Sequence, residues 1–135
     1  MFDTKIAIIV RDDLEVWRKL NVTAFLATGI AGAGEAVMGE PYRDGDGNPY
    51  TPLAGQPIII LSADAMTLKK IHERGLRRNA HLSLYIDEMF TTGHDAANRA
   101  AVERCRVEDL SIAGLALRED RKLVDKITKG ASMHP

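Results

Sequence analysis

The run Ile6-Ala7-Ile8-Ile9-Val10 constrains the fold more than any other feature of the chain. It is apolar at every position, mostly β-branched, and closed by charge at Arg11, Asp12 and Asp13. A strand that alternates apolar and polar residues has one wet face, whereas one that is apolar throughout is covered on both. The run therefore predicts a central strand with structure layered above and below it. Ile58-Ile59-Ile60-Leu61, between Pro57 and Ser62, has the same character and predicts a second central strand. His81 to Ile86 alternates, with Leu82, Leu84 and Ile86 on one face and His81, Ser83 and Tyr85 on the other. That pattern predicts a half-exposed strand. Ile112 to Leu117 is a fourth apolar run, in which Gly114 signals close packing or a bulge.

Helical patterns lie between these runs. Leu20, Val22, Ala24, Phe25, Leu26, Ala27 and Ile30 are apolar almost all the way round, which predicts a buried helix ended by Gly29 and Gly32. Met66, Leu68, Ile71 and Leu76 form the apolar stripe of a second helix, with Ser62 or Asp64 as its cap. Asp95 is the expected cap of a third helix running through Arg104, and a fourth helix ends at Gly130. Strands alternating with helices give an α/β fold, a three-layer α/β/α sandwich. The 135 residues suit one domain, 1–135, with a hairpin-like excursion near 38–53 where Arg43 to Asn48 has turn chemistry. That stretch is not an EF-hand loop, which wants Gly sixth and Glu twelfth where the chain has Pro49 and Gly55.

Composition excludes several classes. The 18 Lys and Arg residues nearly balance the 19 Asp and Glu, so net charge names no partner. The single cysteine, Cys105, rules out a disulfide framework, and no apolar run approaches the ~18 residues of a membrane span. The expectation is a cytoplasmic protein with no membrane partner. The spacing of His72, His81, His94 and His134 matches no metal site, and no cofactor signature is present. Lys69, Lys70, Arg74, Arg77 and Arg78 form a basic cluster that reads as the wet face of a helix or as a contact for phosphates, without the aromatic residues that stack on bases.

Candidate site residues cluster after the first strand and in the loop after the third. Asp12 and Asp13 follow the C-terminal end of a strand, where open α/β sheets place ligands. Lys19 stands near the start of the next helix, whose free amides favour anions. The plain alternative is that Asp13 caps that helix and Lys19 is solvated. His94, beside Asp95 and near Asp87 in sequence, is either an oriented imidazole or an ordinary loop residue.

Lys5-Ile-Ala-Ile-Ile-Val-Arg-Asp-Asp-Leu14 resembles the opening of type-two peptidyl-tRNA hydrolases. Gly55-Gln-Pro-Ile-Ile-Ile60, Leu84-Tyr-Ile-Asp87 with Thr91, and Ile112 to Leu117 followed by Leu123 to Ile127 resemble their later segments. The chain is similar, more closely, to a bacterial family of unknown function with that fold. The motifs shared with that family are Arg11 to Leu14, Lys19 to Leu26 and Thr92 to Arg99. The resemblance implies a mixed sheet of about four main strands and a homodimer. It also matches Lys19, Asp87 and Thr91 to polar groups of the hydrolase site, with His94 as the substitute for a histidine that Leu26 replaces. Asp12, Asp13, Asn21, Thr23, Thr92 and Asn98 complete the expected site. Three functions follow: binding or turnover of a small anionic or nucleotide-linked ligand, ester hydrolysis on peptidyl-tRNA, or a non-catalytic dimeric module. The first is preferred, and tRNA is the less favoured partner.

Overall fold

β1 (Thr4–Arg11) lies at the middle of a five-stranded mixed sheet, where its unbroken apolar run belongs. The computed structural model describes residues 2–34 and 36–135. After β1 come α1 (Val16–Ala33), a hairpin of β2 (Tyr42–Arg43) and β3 (Pro49–Tyr50), β4 (Ile58–Ala63) and α2 (Ala65–Arg77). Then follow β5 (Leu82–Ile86), a 3₁₀ turn (Asp87–Thr91), α3 (Asp95–Glu103), β6 (Ile112–Asp120), α4 (Arg121–Ile127) and β7 (Ser132–Met133). The sheet order is β5-β6-β1-β4-β7, with β1 parallel to β4 and antiparallel to β6. The pleat sends alternate β1 residues to opposite faces. Ile6, Ile8 and Val10 meet Val22, Leu26 and Ile30 of α1, while Ala7 and Ile9 join Leu68 and Ile71 of α2 and Val124 and Ile127 of α4.

Four long strands are as expected, and β7 adds a short fifth. β4 is less central than its sequence suggests. Beyond β1 it is paired only at Leu61 and Ser62 by β7, so Ile58 is 39% exposed. Ile59, Ile60 and Leu61 are half-buried and only Ala63 is buried, so the apolar run overstates how far β4 is covered.

α1 departs from expectation in two ways. It continues past Gly29 and Gly32 to Ala33, and only Val22, Leu26 and Ile30 are buried. Gly29 serves approach rather than termination: a Cβ there would lie 2.5 Å from Ser83 Oγ. Gly114 does the same on β6, where a Cβ would lie 2.6 Å from Val22 Cγ1 and 3.1 Å from the Ile9 carbonyl oxygen. The pairing of β5 with β6 also shifts register between Tyr85 and Ile86, opposite Gly114 and Ile112, so close packing and a bulge coincide. These contacts bring α1 over the face of β5 expected to be wet, and Tyr85 is only 4% exposed.

Asp64 caps α2 by accepting from Thr67 N at 2.7 Å. The basic cluster on α2 has local partners: Arg74 Nη1 donates to the carbonyls of Ile127 and Lys129 at the end of α4, and Lys69 Nζ donates to the Glu108 carbonyl. α4 stops at Ile127, and Gly130 takes the turn beyond it with φ of 102°. In the hairpin, Asp44 accepts from the amides of Asp46 and Asn48, from Asn48 Nδ2 and from Tyr50 Oη. The Asn48 side chain, then Tyr50 and the backbone amides, hold the Asp44 carboxyl down at about 2. No helix among the described residues is long and apolar enough to cross a membrane.

His72 of α2 is buried, and burial lowers its pKa from the ordinary value near 6.5, against a smaller opposing pull from Glu73. The native state therefore keeps it neutral where the unfolded chain is protonated. Stability is full above about pH 6.5 and falls as the pH drops below it, because only the unfolded state takes up the proton. Urea unfolding at neutral and at mildly acidic pH is expected to show this loss, and His72→Gln to reduce it. An unchanged slope in the variant would contradict the assignment.

Candidate functional site

α1, β5 and the 3₁₀ turn leading into α3 enclose a recess of about 530 Å³ at the β5 edge of the sheet. This is within the ordinary range for small-molecule sites. Its apolar wall is aromatic. The chain has one Trp, three Tyr and three Phe, and Trp17, Phe25, Tyr85 and Phe90 all meet here. Trp17 and Phe90 meet edge to face with centroids 6.0 Å apart, and Tyr85 lies 5.0 Å from Phe90 and 5.9 Å from Phe25. The Arg18 guanidinium sits 4.6 Å from the Phe90 centroid and 5.1 Å from that of Trp17. Burial pushes the Tyr85 phenol up, partly countered by Arg18. The hydroxyl stays protonated at neutral pH and donates to Asn21 Oδ1 at 3.4 Å.

The polar groups of the recess come from Asn21 on α1, Ser83 on β5, and Thr92, His94, Asp95 and Asn98 around the start of α3. Thr92 Oγ1 and Asn98 Oδ1 are hydrogen-bonded to each other. His94, rather than Asp95, is the N-cap of α3: its Nδ1 accepts from Ala97 N at 3.2 Å. That fixes the ring chemistry. With the Nδ1 lone pair occupied, a neutral imidazole carries its proton on Nε2, so His94 offers a ligand a donor and not a base. Asp95 is paired with Arg99 one turn on.

Asn21, Thr92, His94 and Asn98 are thus brought together, whereas Lys19, Asp87 and Thr91 do not line the recess. Thr91 Oγ1 donates to the Glu88 carbonyl and Thr23 Oγ1 to the Lys19 carbonyl, both backbone roles. Asp13 does not cap α1, whose N-cap is Glu15 without a side-chain bond. Instead Asp13 accepts from Arg11 Nε at 2.6 Å, while the Asp12 amide donates to the Ala63 carbonyl.

Asp87 belongs to a second polar cluster, at the end of the sheet formed by the C-termini of β1, β4 and β5. Arg11 Nη1 donates to Asp87 Oδ2 at 3.0 Å and to the Ile112 carbonyl at 2.9 Å, and Ser111 Oγ also donates to Asp87 Oδ2. Asp87 Oδ1 is buried without a hydrogen bond among the described residues. Burial alone would lower the Arg11 pKa, but its bonds and charge contacts with Asp87 and Asp13 outweigh that and raise it. Arg11 therefore stays a fixed cation tying the end of β1 to the end of β5 and the start of β6. Among the described residues, no three His, Cys, Asp or Glu side chains are grouped to hold a metal ion.

The family of proteins of unknown function DUF2000 matches residues 4–135. The chain belongs to this family. Among solved structures, a protein of unknown function from Agrobacterium tumefaciens strain C58 is similar to this DUF2000 protein at 58% identity. The match covers 100% of both chains with a TM-score of 0.98. No protein of curated function matches the chain.

Sequence reasoning missed the aromatic wall, Arg18, Arg11 and Ser111. The signal available for the wall was scarcity: a chain with few aromatic residues places one each at 17, 25, 85 and 90, in or beside the motifs already singled out.

Proposed function

We propose that this DUF2000 protein binds a small ligand with a planar ring and an anionic group, of the nucleotide-linked kind, in the recess between α1, β5 and α3. The observation that carries the reading is one recess that combines four aromatic side chains with a histidine held as a donor. The ring packs against Trp17, Tyr85 and Phe90. The anion lies near His94 Nε2 and the N-terminus of α3, where helix amides favour negative charge. Binding is favoured over turnover, because the Nδ1 of His94 is spent on the cap and Asp95 is paired with Arg99.

The sole tryptophan, Trp17, lines the recess and makes the test direct. Titration with a panel of nucleoside monophosphates is expected to change its fluorescence saturably for at least one member. His94→Asp keeps a good N-cap but removes the donor and adds a repelling charge, so it should weaken binding at least tenfold with little loss of stability. His94→Ala should also cost about 1 kcal/mol of stability through the lost cap. Equal affinities in wild type and His94→Asp would refute the donor role.

The second reading is ester hydrolysis on peptidyl-tRNA, within a fold of the type-two hydrolase kind. It is favoured by Asp87, anchored by Arg11 and Ser111 at the C-terminal strand ends with one carboxylate oxygen unpartnered. Its assay is release of N-blocked amino acids from tRNA, with Asp87→Asn as the control.

A further inference from the structure

Trp17, Asn21 and Phe25 follow one another at one-turn spacing on α1, so a single amide stands between two aromatic side chains of the recess. Tyr85 decides which of its atoms faces the recess. That phenol is buried and keeps its proton, and a buried hydroxyl costs stability unless the proton finds an acceptor. Its partner is Asn21 Oδ1 at 3.4 Å. With the carbonyl oxygen turned to Tyr85, Asn21 shows the recess the two N–H donors of Nδ2.

The other polar groups do not replace that acceptor. Trp17 Nε1 is a donor only, as is His94 Nε2 across the recess. Thr28 gives its proton to the Phe25 carbonyl and keeps lone pairs, but it stands two turns beyond Asn21. The Asp95 carboxylate is paired with Arg99 on α3, the side where the anion lies. The Ser83 hydroxyl serves in either role. So does the Thr92–Asn98 pair, because the one Thr92 proton is shared between Asn98 and the Met89 carbonyl.

We propose that Asn21 selects the ligand's ring by its edge, favouring an oxo-substituted ring, as in uracil or hypoxanthine, over its amino-substituted counterpart, cytosine or adenine. This rests on the reading of the recess as a ring-binding site. A ring carbonyl accepts from Nδ2. An exocyclic amino group in the same place sets donor against donor and leaves both unpaired. The asparagine contact that ordinarily reads adenine gives one hydrogen bond and accepts another, so it calls on the carbonyl that Tyr85 holds. Tyr85 is then a positioning residue that acts through Asn21.

The test is calorimetric titration of the full chain with two matched pairs, uridine against cytidine monophosphate and inosine against adenosine monophosphate. The oxo member of at least one pair is expected to bind about tenfold tighter or more. Asn21→Asp offers the ring acceptors in place of donors and should reverse the order. The ratio within a pair cancels any general loss from the added charge. Tyr85→Phe keeps the aromatic wall but frees the amide to turn, and should shrink the preference to less than about threefold. Equal affinities within both pairs, or a preference unchanged by Asn21→Asp and Tyr85→Phe, would overturn the role of Asn21 and leave the recess as a ring site. No binding of any of the four would overturn both.

Discussion

Gly114→Val is expected to destabilise the protein by about 3 kcal/mol, the upper end of what forcing extra carbons into a packed core costs. Gly114 lies on β6 between Val10 and Tyr85, directly beneath α1. A single added Cβ would already stand 2.6 Å from Val22 Cγ1, 3.0 Å from Leu26 Cδ1 and 3.1 Å from the Ile9 carbonyl oxygen. The side chains can rotate a little, but the carbonyl belongs to the central strand and cannot move without breaking the ladder. Two further carbons push α1 off the sheet, and α1 carries Trp17, Asn21 and Phe25 of the recess. Gly114→Ala should cost less, about 1–2 kcal/mol. Urea unfolding of the three proteins measures the series, and a valine variant within about 0.5 kcal/mol of wild type would show that α1 does not rest on this position.

The second large effect is on binding. Asn98 lies on α3 at the margin of the recess, partly exposed, with its side chain bonded to Thr92. Asn98→Trp puts an indole into the recess on the α3 side, where the ligand's anionic group would lie. Affinity is expected to fall by more than about 100-fold, whereas stability should drop only by the lost hydrogen bond, about 1 kcal/mol. The contrast between a large binding effect and a small stability effect separates a ligand site from a structural cavity. A structural cavity filled in this way would gain stability or lose nothing else.

The fold was legible where one property decided the pattern. Burial on both faces made β1 readable, and amphipathic spacing with Asp64 made α2 readable. Where two properties share one signal, the sequence was ambiguous. An uncharged helix reads as buried whether or not its outer side is covered, so α1 reads as a core helix although only Val22, Leu26 and Ile30 are buried. β4 reads as central because its residues are apolar, yet only Ala63 of the strand is buried and its pairing partner on one side is only two residues long. In the site, Asn21, Thr92, His94 and Asn98 could be named from their motifs. The aromatic wall could not, because residues 17 and 25 meet 85 and 90 only through the packing of α1 across β5. Capping by His94 was also hidden, since Asp95 beside it is the commoner residue for that role.

The most direct test of the ligand-site account is mass spectrometry under non-denaturing conditions of protein purified from its own cells, beside the Asn98→Trp variant. The account predicts a small-molecule adduct on the wild type that is lost on denaturation and missing from the variant. An adduct retained unchanged by the variant, or a wild type that carries none and also gives no fluorescence response, would contradict it.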